Sequence, residues 1–529
     1  MKKLSMIDKG FLLGESREMP MHVGGVSLYT LPDGADEQEF LATLAANVHE
    51  AKVLMPPFGD RLKVGPLGLM GTAYWEPDPA FDMDYHVRHS ALPKPGRYRE
   101  LFALVSRLHS SLLERTRPLW EMHIIEGLEN RQFAIYSKTH HAAVDGARSI
   151  HISRSMLSAD PSHINAESPI SKTSWDRYKA SVKMGHKAHY SDSELRNVAD
   201  MLKSSFDSSA NIFHALKGFT KAWSGQDRQL NFPHLKVPRT SINGNIDSTR
   251  RFVAQSWEFA RVKKVAEALG GTFNDTVLAM CAGAIRNYLI NYSELPERSL
   301  KAMVPVSLRE EGDVDAGNAV AAISANLATD IADPSDRFHA IVDSVLAGKD
   351  YYRSMSAREI EMVSLLMQAP SMILVPLGLI PRLPPYNLTI SNIPGIRQTM
   401  YWNGARMDGS YPMSIVAHSM AMNITLVTYD KNVDFGILAC RRNVPHVQRM
   451  IDYMEDALQE LEEVAGFRER PSRKRRSAAA KPKAKVTAGT KTKAKAKSKA
   501  RAKPKATARP KATVKAKAKT KAKTRAKRS

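Results

Sequence analysis

The chain has 529 residues, 43% apolar and 25% charged, a composition that excludes a fully disordered chain, a collagen-like fibre and a disulfide scaffold. Its net charge of +23 is concentrated at one end. Residues 471–529 carry 25 Lys and Arg and no Asp or Glu, which leaves 52 basic and 54 acidic side chains in the first 470 residues. A nearly neutral body of that length is sufficient for two packed lobes, and the charge indicates a polyanionic partner for the tail alone.

The two cysteines and the N-terminus favour a protein of a reducing, cytoplasmic compartment. Cys281 and Cys440 each lie in an apolar run, which predicts small buried thiols and no disulfide. Asp8 and Lys9 interrupt any apolar segment at the N-terminus, so a signal peptide is not expected.

One segment is long enough to be tested as a membrane span. Residues 362–381 contain no charged side chain over 20 positions, about the length that crosses hydrocarbon. Pro370, Pro376 and Gly378 divide it into pieces that are too short to cross. The pattern therefore favours a buried or interfacial helix followed by a loop.

In the first 157 residues, apolar spacing predicts two amphipathic helices and then a β-hairpin. The helices cover 36–50 and 97–115, and the hairpin strands cover 120–125 and 132–137 around a turn at 126–130. The second strand leads directly into Thr139-His140-His141. Helical spacing resumes after Gly146.

A polar connection at 158–249, with helical patches near 195–223, precedes a second apolar body at 250–467. This body is predicted to contain helices at 260–269, 273–292 and 445–465, and strands near 302–307, 320–327, 387–392, 413–418, 422–429 and 433–440. Helices and strands in this mixed order predict an α+β fold with an N-terminal lobe at 1–157 and a C-terminal lobe at 250–467. Residues 468–529, rich in Lys and Ala, are predicted to be a disordered tail.

The stretch from His140 to Gly146, His-His-Ala-Ala-Val-Asp-Gly, has the residue types of a proton-transfer site. A histidine at a strand end can project into a cleft, and its ordinary pKa near 6.5 suits proton abstraction around neutral pH. Asp145 can brace the following loop, and Gly146 permits backbone conformations that other residues avoid. Taken alone, however, paired histidines before an Asp-Gly turn favour a purely structural role. Metal binding is poorly supported because no third ligand follows at a suitable spacing, and no metal is expected.

The HHxxxDG pattern resembles the active-site signature of the chloramphenicol acetyltransferase and condensation-domain superfamily. Further stretches resemble the bacterial wax ester synthase/diacylglycerol acyltransferases, in the expected order between about residues 4 and 467. These stretches are Leu12-Leu13-Gly14-Glu15, Pro20-Met21-His22-Val23-Gly24, Pro118-Leu119-Trp120, Gly271-Thr272-Phe273-Asn274-Asp275, Val304-Pro305-Val306-Ser307-Leu308-Arg309 and Ser391-Asn392-Ile393-Pro394-Gly395.

This resemblance implies a two-lobed chloramphenicol acetyltransferase-like fold with mixed sheets and an active site in a channel between the lobes. It implies an O-acyltransferase that moves a long-chain acyl group from acyl-CoA to a fatty alcohol, giving a wax ester, or to diacylglycerol, giving triacylglycerol. His141 would be the general base, and no acyl-enzyme is needed. Acyl-CoA is a substrate, so no cofactor is expected.

The resemblance also implies roles for the other residues of the motifs. Asp145 would be a structural brace that turns toward a basic partner, with Arg309 one candidate, while His140 would line the channel or support the loop. Gly146, Trp120, Asn274 and Asp275 would contribute to substrate binding. Simple helix N-capping by Asn274 and Asp275, and packing by Trp120, are the competing interpretations. The segment from Asn392 to Gly395 is expected to be a loop.

The protein is expected to work at the periphery of the inner membrane or on lipid inclusions, where its water-insoluble acceptor resides. The basic tail can bind DNA or anionic lipid by releasing counterions, or it can simply keep the protein soluble; it has no aromatic residues for stacking on single strands. Two other functions stay open: a condensation-type acyltransferase that uses another thioester donor, and a non-enzymatic tether between lipid inclusions and DNA. Nothing in the sequence fixes the oligomeric state.

Overall fold

The computed structural model describes residues 2–144, 146–165, 167–185, 237–307, 320–353 and 386–468. One compact unit comprises Met1–Arg470. It combines helices with mixed β-sheets, as the sequence predicts.

The described strands and helices are numbered in chain order. The strands are β1 (Lys2–Lys3), β2 (His22–Thr30), β3 (Asp60–Gly65), β4 (Gly68–Pro77), β5 (Val87–Ala91), β6 (Trp120–Glu126), β7 (Gln132–His140), β8 (Arg250–Glu258), β9 (Lys301–Ser307), β10 (Val320–Asn326), β11 (Leu388–Ile396), β12 (Tyr401–Trp402), β13 (Ala405–Met413), β14 (Met422–Tyr429) and β15 (Asn432–Cys440). The helices are α1 (Met6–Gly14), α2 (Glu37–His49), α3 (Met83–His86), α4 (Tyr98–His109), α5 (Gly146–Met156), α6 (Lys172–Gly185), α7 (Phe259–Ala268), α8 (Phe273–Asn291), α9 (Pro334–Arg353) and α10 (Arg449–Val464).

The strands form two six-stranded mixed sheets and one small sheet. The first sheet has the order β12-β13-β2-β7-β6-β5, and its β5–β6 pair is parallel. The second sheet has the order β10-β9-β11-β14-β15-β8, with β11 parallel to both β9 and β14. The three-stranded sheet has the order β1-β4-β3. Mixed sheets are confirmed, but the first sheet also contains β12 and β13, which come from the predicted C-terminal lobe.

Alternation of apolar residues gives the first sheet two buried faces. Phe133 and Ile135 of β7 pack in the cluster that holds the buried side chains of α2, whereas Ala134 and Tyr136 face α4 and the second sheet. In the second lobe, the core lies between the second sheet and helices α8 and α10. The sheets therefore form successive layers with helices between and outside them.

The two large sheets meet along their edges and faces. β8 is an edge strand of the second sheet, and its Arg250 and Phe252 N–H groups donate to the hydroxyls of Ser110 and Ser106 on α4, at 3.0 and 2.9 Å. A helix therefore satisfies the donors that an open edge strand would expose. Gly436 lies where a Cβ atom would come 1.9 Å from the Pro412 carbonyl of β13, so close approach of the sheets requires glycine there.

Most of the predicted elements are confirmed. The hairpin forms as β6 and β7, the strand at 422–429 has the predicted bounds, and α2, α7, α8 and α10 begin and end within a few residues of prediction. Both cysteines are free and buried, as expected.

Three predicted elements are wrong, each for a local reason. Helix 97–115 ends at His109, because Leu113 turns away to pack on α1. The strand near 413–418 ends at Met413, and the apolar residues after it are buried because the chain crosses there from the first sheet to the second. The segment from Asn392 to Gly395 is not a loop but part of β11, whose pairing is irregular between Ile393 and Ile396. Pro394, which has no N–H to donate, lies within that irregularity.

Several predictions fall on residues that the structure does not describe. These are the helical patches near 195–223, the uncharged segment at 362–381 and the tail from residue 469 onward. Within the described residues, no helix is both long enough and apolar enough to cross a membrane. The described part of the 158–249 connection includes α6, whose Trp175 is buried in the same cluster as α2. The lobe boundaries at 157 and 250 stay a prediction.

Candidate active site

One edge of the first sheet brings together three of the sequence motifs. β7 ends at His140, and its neighbours β2 and β6 run antiparallel to it and begin at that edge. His22 of β2 lies opposite His140, and Trp120 of β6 lies opposite Thr139. The Pro20–Gly24 and Pro118–Trp120 stretches therefore flank the paired histidines, one on each side. The two stretches are separated from each other by more than 90 residues in the chain.

His140 is fully buried and is held on three sides. Its backbone N–H donates to the Leu119 carbonyl at 2.9 Å, and its Nδ1 accepts from the Ala142 N–H at 3.1 Å. Its Nε2 lies 3.4 Å from Glu15 Oε1. Because Nδ1 accepts, the proton of the neutral ring belongs on Nε2, which faces the carboxylate.

Glu15 is the acidic partner in this arrangement. Its carboxylate accepts from the Met21 N–H at 3.2 Å and from Nε and Nη2 of Arg115 at 3.1 and 2.9 Å. Burial acts to raise its pKa, but the hydrogen bond with His140, together with the Met21 N–H and the charge of Arg115, outweighs burial and lowers the pKa to about 2. Glu15 is therefore ionised at neutral pH.

His141 has different surroundings although it is the next residue. Its backbone N–H donates to the Met21 carbonyl at 2.9 Å, and its half-buried ring stacks on Phe11 of α1 with centroids 4.1 Å apart. Burial lowers the pKa of His141 to about 4. The ring is therefore neutral and able to accept a proton throughout the neutral range.

A cluster of buried polar side chains lies behind the histidine pair. His22 Nε2 contacts the His109 carbonyl at 2.9 Å, and His109 Nδ1 contacts the Tyr136 hydroxyl at 3.0 Å. Lys138 of β7 is fully buried and forms an ion pair with Glu121 of β6. Burial lowers the pKa of both His22 and His109, so these rings are uncharged.

Trp120 packs beneath the motif. Its indole N–H donates to the Phe58 carbonyl at 2.8 Å, and its ring stacks on His86 with centroids 4.6 Å apart. It shares a buried cluster with Val144 of the motif loop. The packing interpretation therefore accounts for every contact that the structure gives Trp120.

The helix that follows the motif connects the site to the second sheet. α5 begins at Gly146, and Arg154 on this helix donates from Nη2 to the Gly395 carbonyl of β11 at 2.7 Å. Gly395 has no space for a side chain, since a Cβ atom would lie 1.8 Å from the Thr428 carbonyl. The helix that follows the HHxxxDG motif thus contacts the Ser391–Gly395 stretch, which lies about 240 residues further along the chain.

The N-capping interpretation is confirmed for Asp275, which takes part in a capping box, and is wrong for Asn274. Thr272 is the N-cap of α8, and Asp275 accepts from the Thr272 N–H and hydroxyl at 2.9 and 2.7 Å in a capping box. Asn274 Oδ1 accepts from Asn392 Nδ2 of β11 at 2.6 Å. Asn274 therefore joins α8 to the strand that Arg154 also contacts.

Two residues of the sequence hypothesis lie outside the described residues, namely Asp145 and its candidate partner Arg309. Within the described residues, no cluster of three or more His, Cys, Asp or Glu side chains is arranged to hold a metal ion.

The sequence did not predict that Glu15 contacts His140, that Phe11 stacks on His141 or that Arg115 pairs with Glu15. Glu15 belongs to one of the stretches that carry the family resemblance, but nothing in the sequence indicates that it meets His140. Phe11 and Arg115 lie in no motif, and only the packing of α1 against the motif loop reveals them.

Comparison with solved structures shows which fold this chain shares. The first condensation domain of the calcium-dependent antibiotic synthetase matches 88% of this chain and 97% of its own, with a TM-score of 0.52 and 13% identity. At that identity the match shows the fold alone, which is the two-lobed fold of the condensation-domain superfamily.

Closer matches define the family. The wax ester synthase/diacylglycerol acyltransferase from Marinobacter aquaeolei VT8 covers 88% of this chain and 100% of its own, with a TM-score of 0.69 and 37% identity. A Mycobacterium tuberculosis protein named as a diacylglycerol O-acyltransferase is 41% identical over 468 residues, 88% of this chain and 100% of its own. The O-acyltransferase WSD of Acinetobacter baylyi is 36% identical over 472 residues, 89% of this chain and 99% of its own.

Family models agree with these matches. The wax ester synthase/diacylglycerol acyltransferase catalytic domain matches residues 4–277, and the C-terminal domain of the same family matches residues 316–462. The chain belongs to the wax ester synthase/diacylglycerol acyltransferase family, and it is an O-acyltransferase.

Proposed function

We propose that this enzyme transfers a long-chain acyl group from acyl-CoA to the hydroxyl of a fatty alcohol or of diacylglycerol. The observation that carries the proposal is the neutral, half-buried His141 ring at the strand end of the HHxxxDG motif, with a pKa lowered to about 4. The names of the Mycobacterium relative, a diacylglycerol O-acyltransferase that is 41% identical, and of the Marinobacter wax ester synthase/diacylglycerol acyltransferase, which is 37% identical, support this substrate class.

His141 acts as the general base. It accepts the proton from the acceptor hydroxyl as that oxygen attacks the thioester carbonyl, and the C–O bond forms. The tetrahedral intermediate then collapses, the C–S bond breaks, and the protonated His141 returns the proton to the departing sulfur. Free coenzyme A thiol and a new ester are the products, and no acyl-enzyme or cofactor is needed.

His140 positions the motif and does not take part in proton transfer. Its buried Nε2 faces the ionised Glu15, and its Nδ1 already accepts from the Ala142 N–H, so neither nitrogen is available to substrate. Its contacts fix the turn that carries His141. The role proposed for Asp145 is that of a brace for a basic partner.

Trp120, Asn274 and Asp275 define the walls of the site. Trp120 supports the motif loop from below, through the cluster that it shares with Val144. Asn274, paired with Asn392, lies on the side of the second lobe, and Asp275 fixes the first turn of its helix. We assign the substrate channel to the space between these residues and His141.

The enzyme works at the periphery of the inner membrane or on lipid inclusions, since its acceptor and its product are insoluble in water. The basic tail binds a polyanion, either DNA or anionic lipid, because 25 positive charges without a negative one release many counterions on binding.

A donor and acceptor assay tests the proposed reaction. Purified full-length protein is incubated with palmitoyl-CoA and either hexadecanol or dioleoylglycerol, and the thiol release and the neutral lipids are measured. We expect ester formation with at least one acceptor, in equal amount to the thiol. Ester formation only from a carrier-protein thioester would support a condensation-type enzyme instead, and no ester from either donor would support a lipid tether.

A further inference from the structure

The hairpin formed by β3 and β4 ends in an exposed apolar tip. Its turn consists of Pro66 and Leu67 between Gly65 and Gly68, and the side chains of Leu67 and Met70 are 78% and 82% exposed. Val64 next to the turn is 45% exposed. Single exposed apolar residues are common on protein surfaces, but three at the end of one protruding hairpin are typical of an interaction site.

One face of the same hairpin is firmly packed, from Trp75 at its base to Leu69 beside the turn. Ala73 and Trp75 of β4 are buried in a cluster with Leu12 of α1 and Ala142 of the motif loop. This α1 cluster explains why the base of the hairpin is apolar. It gives no reason for apolar side chains at the tip, since Leu67 and Met70 lie outside the cluster.

A row of side chains crosses the three-stranded sheet above the tip. Lys3 of β1 and Lys63 of β3 both pair with Tyr74 of β4, so the three side chains lie on one face. Tyr74 is four residues from Met70, about 13 Å along a strand. A tyrosine with flanking lysines at that distance is the arrangement found at the headgroup level of a membrane, with apolar side chains deeper in the lipid.

The charge of the hairpin is also suited to a phospholipid surface. No Asp or Glu occurs between Asp60 and Glu76. Glu76 pairs with Lys63 at 2.8 Å, whereas Lys2 and Lys3 are exposed and have no ion pair within the described residues. The surface that faces the lipid therefore carries positive charge around an apolar centre.

We propose that the tip of the β3–β4 hairpin inserts into a phospholipid surface and brings the catalytic histidine to its acceptor. The hairpin and the site are one packed assembly, because the α1 cluster joins the hairpin to the helix whose Phe11 stacks on His141. A lipid that leaves the surface beside the hairpin then has a short path to the site. This inference rests on the proposed function for the identity of the acceptor.

The test compares vesicle binding by the full-length protein and by the double variant Leu67→Gln with Met70→Gln. Vesicles of dioleoylphosphatidylcholine that contain dioleoylglycerol are used in about 0.5 M salt, where the basic tail is screened from electrostatic binding. Each side chain contributes at least about a tenfold preference for hydrocarbon, so we expect the double variant to bind at least about 10-fold more weakly. The control variant, Ile164→Gln with Leu346→Gln, removes two exposed apolar side chains elsewhere and should bind like the parent.

The same variants are assayed with palmitoyl-CoA and two acceptors, dioleoylglycerol in the vesicles and hexanol in solution. We expect the tip variant to lose turnover of the vesicle acceptor and to keep its rate with hexanol within about twofold. Equal vesicle binding by the tip variant and the parent would overturn the inference, and so would equal turnover of the vesicle acceptor. Failure of the parent with both acceptors would contradict the proposed function, while the vesicle comparison would still report on the hairpin.

A fluorescent label reports insertion directly. Both native cysteines are fully buried, so an environment-sensitive dye attached to a Leu67→Cys variant labels the tip selectively. We expect a blue shift of its emission on addition of vesicles, and no shift for the same dye on an Ile164→Cys variant. An unshifted emission at Leu67→Cys while the protein is bound would contradict insertion.

Discussion

His140 and His141 are adjacent in the chain but have different surroundings because β7 ends between them. His140 is the last residue of the strand, and its buried ring is enclosed by Leu119, Ala142 and Glu15. His141 begins the turn, and its half-buried ring lies on Phe11. The sequence predicts the pair and its chemistry. It cannot predict which ring is accessible, because that depends on α1, which lies 130 residues earlier in the chain.

The pH dependence of catalysis follows from the lowered pKa of His141. Protonation would remove the proposed general base, and the pKa of about 4 keeps the ring unprotonated well below neutral pH. With hexanol as acceptor, we expect kcat/KM to be flat from about pH 8 to 5.5 and to fall only below that range. Full activity on return to pH 7 is the control for unfolding. A limb centred near pH 6.5, the ordinary value for histidine, would contradict the assignment.

Glu15 is expected to stabilise the fold through its charge. Its pKa of about 2 lies below the ordinary value of 4.5, so its contribution is present in full above about pH 4.5 and is lost as the pH falls toward 2. Glu15→Gln should lower the free energy of unfolding at pH 7 by about 1 to 3 kcal/mol. The difference from the parent should shrink in denaturant titrations at decreasing pH. The exposed control Glu129→Gln should have no such effect, and an undiminished difference at low pH would count against the charge as the cause.

At the scale of elements, the spacing of apolar residues was sufficient to predict a strand or helix that buries one regular face. The β6–β7 hairpin and helix α8 were found in this way. β13 was missed because its sequence, Ala-Arg-Met-Asp-Gly-Ser-Tyr-Pro-Met, is polar and contains both Gly and Pro. It is a strand because β2 pairs with it over its whole length, and such a long-range pairing is not written in the local pattern.

The contact between β13 and β15 gives a test of how the lobes meet. Gly436→Ala would place a methyl group 1.9 Å from the Pro412 carbonyl, so the two sheets would have to separate. We expect the free energy of unfolding to fall by about 1 to 3 kcal/mol. Gly25→Ala in β2 is the matched control, since its methyl group would lie 3.6 Å from the nearest atom, the Tyr411 carbonyl oxygen. Equal melting temperatures for the two variants would show that the sheets do not require this close approach.

At the scale of the whole molecule, the site is assembled from stretches spread over nearly 400 residues. Glu15, Met21, Trp120 and His140 meet at one sheet edge, and Gly395 reaches the same region through Arg154. The resemblance to a family predicted that these stretches matter and that the fold has two lobes. The hydrogen bonds between them follow from sheet order and register, which require the folded chain.

The basic tail is expected to localise the protein without contributing to catalysis. Residues 471–529 carry 25 positive charges and lie beyond the compact unit that ends at Arg470. Truncation after Arg470 should leave turnover of hexanol within about twofold and should abolish tight binding to DNA or to anionic vesicles at low salt. Binding by the full-length protein should weaken steeply as salt rises. A truncated protein that is folded but inactive would contradict the prediction that the tail does not contribute to catalysis.

The most direct test of the central claim is the acyl-transfer rate of His141→Ala. The variant is measured with palmitoyl-CoA and hexadecanol beside His339→Ala, which removes an exposed histidine of α9 far from the motif in sequence. Melting curves of both variants establish that the fold is kept. The account predicts a rate about 10² to 10⁴ times lower for His141→Ala and an unchanged rate for His339→Ala. A folded His141→Ala protein with activity within about threefold of the parent would contradict the role of this residue as general base.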